Sequence, residues 1–77
     1  MKIQGMDFKN GELVIYADYG RSAHAGAGGC FQVVDVRLDK NSLLGKLNIE
    51  QGHHYFNKSE IARDLKVELN EINIIEV

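Results

Sequence analysis

Apolar and polar residues alternate along this chain in short runs, and the first run brackets an Asn-Gly pair. A chain folded back at Asn10-Gly11 sets Met6, Phe8, Leu13 and Ile15 on one face. A tight two-residue hairpin turn needs positive φ at both central positions, which Asn-Gly tolerates. The pattern predicts a hairpin of residues 1–9 and 12–18, with Lys9 opposite Glu12, Phe8 opposite Leu13 and Met6 opposite Ile15. Residues 20–29 lose all periodicity and are rich in glycine, which reads as a loop. From Cys30 to Asp39 alternation returns and predicts a strand. Val34, Val36 and Leu38 share the parity of Cys30, and Phe31, Val33, Asp35 and Arg37 take the other. Asp39-Lys40-Asn41-Ser42 is a turn signal. Leu43, Leu47 and Ile49 then alternate with Leu44, Lys46, Asn48 and Glu50, predicting a further strand weakened at Gly45.

After Gln51-Gly52 the period lengthens. Asn57 suits a helix N-cap, and Glu60 stands at the capping-box spacing. Phe56 and Ile61 are placed for a hydrophobic staple. Ile61, Leu65 and Leu69 recur at helical spacing with Ala62 beside them, and Asn70 offers a stop. Ile72, Ile74, Ile75 and Val77 favour a closing strand. The elements together predict an α+β fold: a small, mostly antiparallel sheet of about four to five strands in the order β-β-loop-β-β-α-β, with one helix on one face.

The 77 residues allow a single domain spanning 1–77. A core this small buries only roughly 60% of the unfolded surface, so association that buries more is expected. The net charge of −2, with nine Lys and Arg scattered along the chain, argues against a nucleic-acid partner. Cys30 is the single cysteine, which fits a reducing compartment. No apolar run approaches the ~20 residues of a membrane span. Met1 to Phe8 lacks the pattern of a signal peptide. A cytoplasmic protein without a membrane partner is the expectation.

The glycine-rich loop has the first claim to chemistry. Tyr19, Arg21, Ser22, His24, Gly26, Gly28 and Gly29 form a candidate site for a ligand or partner. Backbone N–H groups in such a loop can cradle an anion, with the Arg21 guanidinium and the Ser22 hydroxyl alongside. A small anionic ligand such as a nucleotide is one reading. The phosphate-loop pattern is not met, because there is no Gly-Lys-Ser/Thr and the loop precedes a strand. Cys30, His24, His53 and His54 match no zinc spacing, and adjacent histidines on extended chain point apart. A catalytic thiol needs a base within hydrogen-bond reach, which no motif here supplies. No metal, no cofactor and no catalytic residue are expected.

Ser59-Glu60-Ile61-Ala62-Arg63-Asp64-Leu65-Lys66-Val67 resembles the first helix and turn of bacterial helix-turn-helix DNA-binding domains. Ala62 stands at the small crossing position, and Ile61, Leu65, Val67, Ile72 and Ile75 fall at the apolar positions. The resemblance implies a recognition helix over Glu68 to Val77 and DNA as partner. That segment carries Glu68, Glu71 and Glu76 and no Lys or Arg, and Lys66 stands in place of the usual turn glycine.

A different feature points to proteins. The closing strand has apolar residues on both parities. Phe31 and Val33 add to the second face, as do Val14 and Tyr16. One short helix covers one face only, so the other is expected to be an interface formed by Phe31, Val33, Ile72, Ile74, Ile75 and Val77. The sequence thus predicts a small non-enzymatic binding or regulatory protein, of inhibitor type, acting through protein–protein contact as a homodimer.

Overall fold

The computed structural model describes residues 1–77. The elements run β1 (Lys2–Ile3), β2 (Met6–Asp7), β3 (Leu13–Asp18), α1 (Tyr19–His24), β4 (Gln32–Leu38), β5 (Asn41–Ser42), α2 (Lys58–Leu65), a 3-10 turn (Leu69–Glu71) and β6 (Ile72–Glu76). β1 and β2 pair alone, and the other four strands lie in the order β5-β4-β3-β6. β3 pairs antiparallel with β4 and parallel with β6. The fold is α+β, a mostly antiparallel sheet with one main helix, in line with the sequence pattern.

The first hairpin turns at a different place from the predicted one. Gln4 and Gly5, at φ +52° and +79°, make the tight turn, pairing Ile3 with Met6. Both central residues hold the positive φ such a turn needs, and glycine takes one of them without strain. Asn10-Gly11 instead leads into β3. β3 thereby becomes a central strand with partners on both edges, and Leu13, Ile15 and Ala17 are each fully buried. Burying a Leu or Ile side chain contributes roughly 1.5–3 kcal/mol, which a solvent-facing hairpin could not match.

Between β3 and β4 the register shifts by one residue. Tyr16 pairs with Asp35 but Ala17 pairs with Val33, leaving Val34 as the extra residue of a bulge. Side chains alternate with period two, so the bulge inverts parity and puts Val33 on the core side with Val36 and Leu38.

The strand predicted over 43–50 does not form, and the short β5 lies before it, at Asn41–Ser42 within the predicted turn. Leu47 N–H and Lys46 N–H both bond the Leu43 carbonyl, closing a helix-like turn that buries Leu43 and Leu47 four residues apart. The α2 start is as predicted, with the Asn57 side chain accepting from Glu60 N–H at 3.0 Å. The staple does not form, since Phe56 is 73% exposed. The helix stops at Lys66, not Asn70. Lys66 takes the left-handed conformation at φ +56° and its N–H bonds back into the last turn. Ile61, Ala62 and Leu65 close the core over the sheet together with Phe31, Tyr55 and Ile72. The recognition helix implied by the helix-turn-helix resemblance is absent, because Leu69–Glu71 is a 3-10 turn and Ile72–Glu76 is a strand. β-branched residues at four of the last six positions prefer the sheet. No helix is long and apolar enough to cross a membrane.

Candidate functional site

The glycine-rich stretch is partly helical. Asp18 caps α1 by accepting Arg21 N–H at 2.8 Å, which starts a turn despite Gly20. The helix sorts the candidate residues into two sets. Tyr19 turns inward, its ring 5.3 Å from that of Phe31. Ser22 is fully buried, and its Oγ lies 2.7 Å from Nδ1 of His54. Arg21, His24, Gly26, Gly28 and Gly29 stay exposed. Arg21 reaches the Asp18 carboxylate at 3.7 Å, an exposed pair that contributes little. Gly26 and Gly29 both hold φ +86°, so glycine is needed there for the turns that end the segment. None of the surface depressions is lined by these residues.

Ser22 and His54 have the spacing of a nucleophile and its base. A fully buried hydroxyl with no adjoining cavity has nowhere to receive a substrate, and no carboxylate is bonded to the His54 ring. The contact is a tie between α1 and the segment before α2. His53 points the other way, its Nε2 2.5 Å from Glu60 Oε1 and its ring edge-on to Tyr55. No group of three or more His, Cys, Asp or Glu side chains converges on a metal-sized site. Cys30 is buried.

The sheet itself offers a surface. All the helical cover lies on the face of Leu13, Ile15, Val33 and Val36. The opposite face presents Val14 and Tyr16 from β3, Asp35 and Arg37 from β4, and Asn73 and Ile75 from β6. Arg37 lays its guanidinium 4.9 Å from the centre of the Tyr16 ring and its Nε 2.7 Å from Asp35 Oδ2. Ser42 Oγ donates to Asp35 Oδ1 at 2.6 Å. Burial raises the Asp35 pKa, but these two donors and the Val36 N–H outweigh it and hold the carboxyl below its usual range. A shallow depression of about 350 Å³ runs across this face, bordered by Val14, Tyr16, Arg37, Lys40 and Ile75. The largest depression, about 520 Å³, lies elsewhere between Lys46, Lys66, Glu50 and Asp64, where the two signs of charge balance.

Of the six residues predicted to form an interface, three are core. Phe31, Val33 and Ile72 are 1% exposed, and Ile74 is half-buried against them. The bulge at Val34 turned Phe31 and Val33 inward, and pairing beside Leu13 turned Ile72 inward. Ile75 and Val77 remain exposed, at 45% and 60%. Arg37 and Asp35 were not legible as part of this surface, because their contacts with Tyr16 and Ser42 depend on pairing between strands. No family model, curated protein or solved structure matches the chain.

Proposed function

We propose that this chain is a small non-enzymatic binding or regulatory module that acts by protein–protein contact and associates with itself. The observation that carries the proposal is the uncovered sheet face. Val14, Tyr16 and Ile75 lie on it in adjacent strands, while the helices and the irregular segments cover the other side. Clustered apolar surface on a small domain marks an interface. Covering it adds burial to a core that this chain length keeps small. The charge of −2 and the single buried cysteine support a protein partner in a reducing, cytoplasmic setting.

Sedimentation equilibrium on the wild type and on Ile75→Lys tests the proposal. Self-association is expected in the wild type and a shift to monomer in the variant. A wild type that stays monomeric at every concentration removes self-association.

A further inference from the structure

β6 is an edge strand with half of its backbone unpaired. Val77 N–H donates to the Ala17 carbonyl at 2.9 Å, and β6 runs parallel to β3 with Ile75 beside Tyr16. Within a strand, the N–H and C=O of one residue point to the same side, and successive residues alternate. Asn73, Ile75 and Val77 therefore bond toward β3, while Ile74 and Glu76 turn their peptide groups out of the sheet. No hydrogen bond outside the β3 ladder reaches those groups. Ile72 N–H is already given to the Leu69 carbonyl.

The two edges of the sheet differ. β5 is two residues long, and its Ser42 is held by Asp35. β6 has five residues, no proline and no bulge, and Glu76 is its single charge among the devices that blunt an edge. The uncovered face is also divided. Asp35 and Arg37 lie toward β5, and Val14, Tyr16 and Ile75 lie toward β6. Apolar side chains and free backbone groups thus meet along one border.

Building on the self-association proposed above, we infer that β6 pairs antiparallel with β6 of a second copy, about a two-fold axis through Ile75. In this register Ile74 exchanges both bonds with Glu76 of the other copy, and Glu76 with its Ile74. Every outward N–H and C=O of Ile74 and Glu76 is then used. Ile75 faces its own counterpart at the closer, non-hydrogen-bonded spacing of ~4.5 Å between Cα atoms. Asn73 faces Val77, and no like charges stand directly opposite. A register centred on Glu76 sets two carboxylates face to face. One centred on Ile74 brings Glu76 against Ile72, whose N–H is taken. The edge is therefore complementary to itself under two-fold symmetry, which selects a second copy as occupant. Each copy contributes four strands to one continuous sheet, with the apolar halves of both uncovered faces joined at the centre.

The test uses native mass spectrometry and sedimentation on the full chain. Glu76→Pro removes an outward N–H from a residue whose side chain lies outside the core, and Glu76→Ala controls for the side chain. Ile75→Cys places two thiols across the axis, where the spacing suits a disulfide. Edge pairing is expected to show as a dimer that Glu76→Ala keeps. Glu76→Pro should weaken it about tenfold or more with unchanged circular dichroism, and Ile75→Cys should link it covalently on mild oxidation. A dimer that survives Glu76→Pro and leaves Ile75→Cys unlinked overturns edge pairing while self-association stands. A monomeric wild type overturns both.

Discussion

The side-chain amide of Gln4 pairs with the backbone of Asn48 as a neighbouring strand would. Its Nε2 donates to the Asn48 carbonyl at 2.8 Å, and its Oε1 accepts the Asn48 N–H at 2.8 Å. The same Nε2 donates to the Asp64 carbonyl at 3.0 Å, and Gln4 N–H donates to the Leu65 carbonyl at 2.7 Å. One turn residue thus joins the β1–β2 hairpin, the irregular segment after β5 and the end of α2.

Gln4→Ala is expected to lose about 1–3 kcal/mol, because three side-chain hydrogen bonds of ~1 kcal/mol each disappear. Urea unfolding should show a lower midpoint at unchanged slope. Gln4→Glu should lose no less, since a carboxylate would face the Asn48 and Asp64 carbonyls.

Gly11 is required by Asp39. The Asp39 Oδ1 accepts Glu12 N–H at 2.9 Å, and a Cβ on Gly11 would stand 2.2 Å from its Oδ2. Gly11→Ala displaces the carboxylate and is expected to cost about 1–2 kcal/mol. In an Asp39→Ala background the same change should cost less. A double-mutant cycle by thermal unfolding reads the coupling.

Tyr55 makes stability fall at alkaline pH. Burial, the hydrogen bond donated to Asp64 at 2.8 Å and the carboxylates of Asp64, Glu60 and Glu50 raise its pKa well above the ordinary value. The folded state keeps a proton that the unfolded chain releases above pH about 10. The contribution is full below that pH and is lost as pH rises past it. Tyr55→Phe should flatten this part of the loss. Difference absorbance against Tyr55→Phe should show the Tyr55 phenolate appearing later than a free tyrosine.

Asp35 acts at the other end of the scale. Its carboxyl titrates below the ordinary aspartate value, so the unfolded chain takes up a proton first as pH falls. Its contribution is present above that value and lost through the acid range beneath it. Because the group borders solvent, under about 1 kcal/mol is expected. Ser42→Ala should move the Asp35 titration up toward the ordinary value, read by carboxyl NMR. Asp35→Asn should remove its share of the acid loss.

Much of the local structure was legible in the sequence. Asn57 and Glu60 mark the α2 start because a cap and the N–H it satisfies lie three residues apart. The β-branched run from Ile72 marks β6, and the alternation after Phe31 marks β4. The glycine-rich stretch was legible only as irregular chain. The Asp18 cap turns Tyr19–His24 into a helix, and Ser22 meets its partner His54 only through the fold, 32 residues away. The Asn10-Gly11 signal marked a place where glycine is needed, but the reason is the distant Asp39 rather than a hairpin tip.

The sequence by itself determined β3, β4, β6 and the start of α2, since capping, propensity and periodicity act within a few residues. Only the tertiary structure decided which side chains face the core and which face water. The choice turned on one extra residue, Val34. In a period-two strand, a single insertion exchanges the two faces, moving Phe31 and Val33 into the core while leaving Ile75 beside Tyr16 on the open side. A bulge is set by which strand pairs with which, and that pairing is settled by the apolar area the whole sheet can bury.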